Sequence, residues 1–208
     1  SDTLSAPPSS SEAMARLRQR LTPVGRRAKR VGPYDLVVVG GDIAGCCAAV
    51  SAARLGCRVA LVQDRPVLGG NNSSEVRVGL SGLVAQQPYP NLGKLLDEVG
   101  SVGYWNAHEA DEEPDSPRSA QIRRILALHP EKMTHNAGPA SNYGDGKKRR
   151  LIESHPEIDL YLSTHITDVE RRGSRITAVT GQNILTGERL RFEGKLFADC
   201  TGDATVGF

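Results

Sequence analysis

A run of four aliphatic residues followed at once by closely spaced glycines constrains the fold of this chain more than any other feature. Residues 36–39 are typical of a strand buried on both faces of a parallel sheet. Three glycines lie just beyond the run, and residues 43–55 predict a helix that stops at Gly56. Because residues 58–62 predict a second strand, residues 34–64 as a whole predict a βαβ unit with glycines at its first junction.

The position of these glycines predicts a nucleotide-binding loop. At such a junction the first glycine, Gly40, permits a tight turn, and the third, Gly45, lets the helix and the strand pack closely. The N-terminus of the helix then presents free amides and a positive dipole end to a diphosphate. An ordinary strand-to-helix turn without a ligand is the alternative interpretation of the same residues.

The end of the second predicted strand carries the polar residues Gln63, Asp64 and Arg65. In dinucleotide-binding folds this position contacts the adenosine ribose, and an amide side chain can make those hydrogen bonds without a charge. A guanidinium group at this place can also accommodate a 2′-phosphate. An NADP-binding protein therefore remains an alternative.

Asp42 occupies the middle glycine position of the loop, where the cofactor backbone approaches most closely. Each pair of like charges about 4 Å apart costs about 4 kcal/mol at an effective dielectric near 20, and about 1 kcal/mol in water. We therefore expect weakened cofactor binding unless the carboxylate turns away from the diphosphate. An aspartate before a helix can also accept the free amides of the first turn, where it would compete with the phosphates.

The rest of the sequence predicts one domain preceded by a basic tail. Residues 1–33 contain seven Arg and Lys residues against two acidic ones, although the whole chain has a net charge of only +2. We expect residues 1–33 to form a flexible tail and residues 34–208 to form the folded domain. The basic residues 147–150 predict a solvated helix face.

Beyond the βαβ unit, the patterns predict a long excursion over the sheet and then an antiparallel meander. Predicted helices cover residues 92–99, 120–128 and 147–154, predicted strands cover residues 159–163, 166–171, 175–183 and 188–193, and a strand over residues 195–198 returns to the sheet.

Composition argues against several other classes of protein. Aromatic residues make up 4% of the chain and the basic excess lies in the tail, so we expect no nucleic-acid partner. No run of 18 apolar residues is present, which predicts no membrane-spanning helix. The four cysteines and five histidines lack the spacing of metal ligands, so we expect buried thiols and no metal site.

Three segments in a fixed order make the nucleotide interpretation more specific. Residues 34–41, 63–75 and 198–203 resemble the bacterial FAD-dependent oxidoreductase family, whose members carry “DRPxLGGN” and “DCTGDG” signatures within the glutathione-reductase-like structural class. The resemblance covers about residues 34–208. A long excursion and a meander, in place of a third parallel strand soon after the second, also favour FAD over a nicotinamide cofactor.

The resemblance implies an α/β, Rossmann-like FAD-binding domain with a parallel sheet and an antiparallel β-meander. Residues 69–74 would line the flavin end of FAD, the backbone around Ile166 would pair with the adenine, and Gly202 and Asp203 would reach the diphosphate and the ribityl hydroxyls. Ala204 stands where the family carries another glycine. The candidate cofactor-binding residues are Gly40, Gly41, Asp42, Ile43, Ala44, Gly45, Gln63, Asp64, Arg65, Gly70, Asn71, Asn72, Ser73, Ile166, Gly202 and Asp203.

The function that follows is an oxidoreductase that moves a hydride or an electron pair between a small organic substrate and FAD. Because the flavin carries the redox chemistry, a catalytic side chain need not be visible. We expect the substrate domain to come from the remainder of an enzyme chain, with a homo-oligomer as a further arrangement. The alternative is a non-catalytic remnant that has lost tight FAD binding through Asp42 and Ala204 and serves as a scaffold.

Overall fold

The computed structural model describes residues 27–80, 92–100, 115–128 and 140–207. Within these residues a short 3₁₀ turn covers Gly70–Asn72 and another covers Ala140–Tyr143. The strands and helices, in chain order, are β1 (Lys29–Val39), α1 (Ile43–Arg54), β2 (Val59–Val62), α2 (Leu92–Val99), α3 (Pro117–Leu128), α4 (Asp145–Glu153), β3 (Ile158–Tyr161), β4 (Thr164–Arg172), β5 (Arg175–Asn183) and β6 (Arg189–Asp199).

The six strands form one sheet in the order β3-β2-β1-β6-β5-β4. β3, β2, β1 and β6 are parallel, whereas β6, β5 and β4 are antiparallel. This arrangement confirms the predicted fold class, a parallel sheet with an antiparallel meander. β6 belongs to both parts, because Phe197 pairs with Val37 of β1 while Phe192 pairs with Val179 of β5.

Two apolar clusters cover the two faces of the sheet. In the first, α1, α2 and α4 pack on the parallel strands, and its members include Val50, Leu61 and Ile152. The second contains Phe192, whose ring meets that of Tyr161 edge to face with centroids 4.9 Å apart. Tyr161 lies on β3 and Phe192 on β6, and β2 and β1 lie between these strands in the sheet. Because their rings nevertheless touch, the meander folds over the second face and closes that core.

Most predicted elements are present at nearly the predicted bounds. The βαβ unit is confirmed by β1, α1 and β2, and the helix predicted over residues 92–99 is α2. α3 includes the helix predicted over residues 120–128, and α4 begins two residues before the predicted helix. The remainder of the long excursion, residues 81–91, 101–114 and 129–139, lies outside the described residues.

The structure corrects the predicted start of the domain. β1 begins at Lys29 rather than Tyr34, and residues 29–31 pair with residues 190–192 of β6 before an irregularity between Val31 and Tyr34. Gly32 lies in this irregularity with a φ of +100°, and a Gly-Pro pair normally indicates a turn. The predicted tail therefore contributes its last residues to the sheet, and residues 1–26 lie outside the described residues.

The end of the meander also differs from the prediction. The stretches predicted over residues 188–193 and 195–198 are one continuous strand, β6, that passes through Gly194. A Cβ atom at Gly194 would lie 2.8 Å from Val37 Cγ2, so this glycine serves a close approach between strands rather than a break.

The four cysteines are buried or partly buried thiols, as predicted. Cys46 is buried and the other three cysteines are partly buried, and all four are free thiols. Burial raises the pKa of Cys46 to about 12 and that of Cys47 to about 11, so both are poor nucleophiles at neutral pH. Among the described helices none has the length and apolarity to cross a membrane.

Replacing Phe192 with Ala is expected to lower the free energy of unfolding by about 3–5 kcal/mol, because the ring is fully buried in the core beneath the meander. Leu196→Ala on the same strand is the matched control, since this side chain is 68% exposed and its loss should cost less than about 0.5 kcal/mol. Urea unfolding followed by circular dichroism measures both. Similar losses in the two variants would contradict the packing of the meander on the sheet.

Candidate functional site

A cavity of about 560 Å³ lies at the carboxyl ends of the parallel strands, within the range of about 300–1,000 Å³ typical of ligand sites. It is bordered by the loops after β1, β2 and β6, by the turn around residues 69–72 and by the start of β4. Of the predicted site residues, those in its wall are Gly40, Asp42, Ile43, Gln63, Asp64, Arg65, Gly70, Asn71, Asn72, Ile166, Gly202 and Asp203. Gly41, Ala44, Gly45 and Ser73 are not in the wall.

The glycines of the first loop allow backbone segments to approach where a side chain would not fit. Gly40 has a φ of +100°, and a Cβ atom on it would lie 2.5 Å from the carbonyl oxygen of Cys200. A Cβ atom on Gly45 would lie 1.9 Å from the carbonyl oxygen of Gly40. The first turn of α1 therefore rests directly on the end of β1, as predicted for the third glycine.

Asp42 is the N-cap of α1. Its backbone is extended, and its Oδ1 accepts a hydrogen bond of 2.8 Å from the Gly45 amide. This bond confirms the capping role considered from the sequence. The first-turn amide of Ala44 has no hydrogen-bond acceptor in the described part of the chain, so it remains available to an anion at the helix N-terminus.

The turn that follows β2 packs against Asp42. Gly69 donates its amide to the carbonyl oxygen of Gly41 at 2.8 Å. A Cβ atom on Gly70 would lie 2.7 Å from the Cβ of Asp42, so the two loops touch along this line. The carboxylate of Asp42 thus turns toward its own helix while its side chain remains in the wall of the cavity.

Gln63 is 4% exposed and braces the two loops rather than reaching outward. Its Oε1 accepts from the Gly41 amide at 2.9 Å, and its Nε2 donates to the carbonyl oxygen of Val67 at 3.3 Å. Both ends of the amide are therefore used within the protein. Asp64 and Arg65 are exposed beside it, so the ribose contact predicted for this position stays a prediction for their side chains.

A buried lysine, which the sequence patterns did not indicate, supports the turn at residues 69–72. Lys148 of α4 is fully buried, and its ammonium donates to the carbonyl oxygen of Tyr143. Its Cε would lie 2.8 Å from a Cβ on Gly69. Asp145, on the same helix, accepts from the amide of Ser74 at 3.0 Å. The predicted solvated face at residues 147–150 is therefore wrong for Lys148, because basic composition alone does not show which residue of a helix turns inward.

Asp199 shapes the loop that carries Gly202 and Asp203, and it was not among the predicted site residues. Its Oδ1 accepts from the Thr201 amide at 3.0 Å and from Thr201 Oγ1 at 2.6 Å. Its Oδ2 accepts from the Val206 amide at 2.7 Å. Burial raises the pKa of this carboxyl group, but the hydrogen bonds outweigh burial and hold the pKa below its ordinary value. An aspartate at a strand end with a threonine two residues later is the signal that could have found it.

Ala204 follows this turn in a left-handed conformation, with a φ of +53°. That region favours glycine, and an alanine there costs about 1–2 kcal/mol. The backbone has therefore kept the conformation of the glycine that the resemblance implies at this position.

The start of β4 lies beside the end of β2. The Thr164 amide donates to the carbonyl oxygen of Gln63 at 2.9 Å, and Ile166 is buried in the second core while bordering the cavity. The structure therefore brings Ile166 to the same cavity as the first glycine loop. The adenine contact of its backbone stays a prediction.

The sequence model of the FAD dependent oxidoreductase family matches residues 35–208. This chain belongs to that family. FAD is accordingly the cofactor of this FAD dependent oxidoreductase chain. The match covers the first glycine loop, the meander and the loop after β6, which are the parts of the fold that border the cavity.

Several known proteins are similar to this family member. The tRNA uridine 5-carboxymethylaminomethyl modification enzyme MnmG of Finegoldia magna is 26% identical over 153 residues, which are 71% of this chain and 21% of that protein. The myxobacterial chondrochloren halogenase CndH, an FAD-dependent halogenase, superposes with a TM-score of 0.50 at 18% identity, covering 83% of this chain and 38% of that one. E. coli quinol fumarate reductase FrdA gives a TM-score of 0.49 at 15% identity, with coverages of 85% and 33%. The chain thus spans less than two fifths of the length of each, and the halogenase shares its fold.

Gly45→Ala is expected to destabilise the protein by about 1–3 kcal/mol or more, because the new methyl group would overlap the carbonyl oxygen of Gly40. Gly202→Ala in the loop after β6 is the control, since no heavy atom lies within 4 Å of its added Cβ, and it should change stability by less than about 0.5 kcal/mol. Urea unfolding of both variants without FAD gives the comparison. A Gly45→Ala variant as stable as wild type would mean that α1 does not rest on β1 as described.

Proposed function

We propose that this chain forms the FAD-binding part of an oxidoreductase that moves a hydride or an electron pair between a small organic substrate and the flavin. The observation that carries the proposal is the convergence of three loops, far apart in sequence, around one cavity at the N-terminus of α1. Ligands of open α/β sheets bind at this edge, outside the carboxyl ends of the strands.

The residues of the cavity fit the cofactor in their chemistry. The N-terminus of α1, which borders the cavity at Ile43, suits the diphosphate, and Asp64 at the exposed rim suits the hydroxyls of the ribose. The backbone at the start of β4 suits the adenine edge, and the turn at Gly70–Asn72 and the loop at Gly202 suit the flavin half. When bound, FAD supplies the redox chemistry, and these groups bind and orient it.

Asp42 is the acidic wall residue at the N-terminus of α1, where the diphosphate would bind, so its charge opposes this ligand. Its carboxylate occupies the Gly45 amide that a phosphate would otherwise share, and it adds a negative charge near the diphosphate position. Membership of the FAD-dependent family does not favour the scaffold alternative. What Asp42 changes is therefore the strength of binding rather than the identity of the ligand.

Purified protein saturated with FAD tests the redox part of the proposal. We expect a reduction potential that differs from that of free FAD, because a site that serves electron transfer stabilises one redox state of the flavin over the other. Reduction in the presence of reference dyes, followed by absorbance, measures it. A bound flavin with the potential of free FAD would contradict an oxidoreductase role.

Replacing Asp42 with Gly is expected to lower the dissociation constant for FAD about tenfold, which corresponds to about 1.4 kcal/mol. The change removes a negative charge and a Cβ from the approach of the diphosphate, and a glycine N-cap costs only a few tenths of a kcal/mol in stability. Titration by flavin fluorescence at fixed salt gives both constants.

Two further variants separate the causes of this effect. Asp42→Asn keeps an oxygen that can cap the Gly45 amide but removes the charge, so its affinity should lie between those of wild type and Asp42→Gly. Asp168→Asn is the control, because this exposed carboxylate pairs with Arg189 in the meander, outside the wall of the cavity. Equal affinities of all four proteins would show that Asp42 has no influence on the diphosphate.

A further inference from the structure

The tip of the β4–β5 hairpin carries three arginines within five residues. Arg171 and Arg172 end β4, Arg175 begins β5, and Gly173, with a φ of +60°, makes the turn between them. All three arginine side chains are exposed. None of their guanidinium groups has an ion-pair or hydrogen-bond partner within the described ranges of the chain.

The charged groups around these arginines are already paired. Arg191 holds Glu170 with two bonds of 2.6 and 2.7 Å and also contacts Glu193. Lys195 pairs with Asp35 at 2.6 Å. The three hairpin arginines are therefore the uncompensated positive charge of this surface.

The hairpin arginines border a groove of about 540 Å³, which we call the arginine groove. Its wall includes the three hairpin arginines together with Arg191, Glu193 and Lys195. It shares no residue with the cofactor cavity. Along β4, Ile166 borders that cavity and Glu170 borders the groove, so the two walls are about 13 Å apart on this strand.

Protection of a sheet edge does not explain these arginines. β4 is an edge strand, and charges on an edge strand discourage pairing with other chains. Arg175, however, begins β5 directly opposite Arg172, three residues before the pairing of β5 with β6 starts at Ala178. Like charges directly opposite each other on paired strands are destabilising, and Arg172 alone would protect the edge, so the pair needs another explanation.

The surroundings of the groove favour a protein partner over a nucleic acid. Glu170 and Glu193 alternate with the basic residues, whereas a nucleic-acid backbone requires a surface of one sign. Tyr34, the aromatic residue in the wall, is 1% exposed and offers no face for a base to stack on. Arginine forks, in turn, bind carboxylates through two parallel hydrogen bonds.

We propose that the arginine groove binds a carboxylate-rich segment of a partner protein. The guanidinium groups of Arg171, Arg172 and Arg175 pair with its carboxylates, and Glu170 and Glu193 disfavour partners that are negative along their whole length. This interaction is separate from the cofactor cavity and does not depend on the proposed redox function.

A fluorescein-labelled decapeptide of alternating Glu and Ser, whose carboxylates are separated by neutral residues, is titrated into the full chain and followed by fluorescence anisotropy at about 0.1 M salt. We expect the variant Arg171→Ser, Arg172→Ser, Arg175→Ser to bind the peptide at least tenfold more weakly than wild type. The triple Lys variant keeps the charge but loses the fork, and should show a smaller, several-fold loss.

Matched single variants separate the groove from general charge. Arg172→Ser should weaken binding measurably, whereas Arg150→Ser, at an exposed arginine of α4 outside the groove, should leave it unchanged. Thermal unfolding of each variant confirms that the chain remains folded. Equal binding by wild type and the triple Ser variant, or no binding by wild type, overturns the proposal.

A competing class of partner is tested in the same titration. A labelled single-stranded RNA of ten nucleotides replaces the peptide under identical conditions. Tighter binding of the RNA that is lost in the triple Ser variant would overturn the assignment to an acidic protein segment. Weaker binding of the RNA than of the peptide supports it.

Discussion

The contact between the first turn of α1 and the end of β1 positions the whole cofactor site. The carbonyl oxygen of Gly40 lies where any side chain on Gly45 would have to go, at 1.9 Å from a Cβ atom. Because the helix sits this low on the sheet, its N-terminus opens at the same edge as the loop after β6, whose Cys200 carbonyl oxygen would lie 2.5 Å from a Cβ atom on Gly40. Enlarging either glycine would move the helix away from both loops.

Local patterns specify most of this fold. The aliphatic run of β1 and the glycine that stops α1 predict the βαβ unit. A strand buried on both faces needs a continuous run of aliphatic residues, and a left-handed helix end favours glycine. Alternation and the turn at Gly173 predict the meander in the same way. The glycine positions also predict which loops border the cavity, since the carboxyl ends of parallel strands share one edge.

Features that depend on distant partners could not be predicted. Lys29 reads as part of a polar tail, and only its pairing with Leu190 of β6 makes it a strand residue. Gln63 has the right position for a ribose contact, but its rotamer follows from the Gly41 amide, which sequence spacing does not reveal. Lys148 is buried because the turn at Gly69 covers it, a relation between segments almost eighty residues apart. In each case the sequence pattern locates the residue, but the contacts of its side chain or backbone depend on a segment far away in the chain.

Asp42 gives the first turn of α1 an anionic partner of its own, so the Gly45 amide is satisfied whether or not a phosphate is present. A ligand stabilises a protein in proportion to the logarithm of its concentration over its dissociation constant, so a weakened site adds less stability on binding. If Asp42 weakens binding as proposed, we expect the folded population of this chain to depend less on the supply of flavin than that of a relative with glycine at this position.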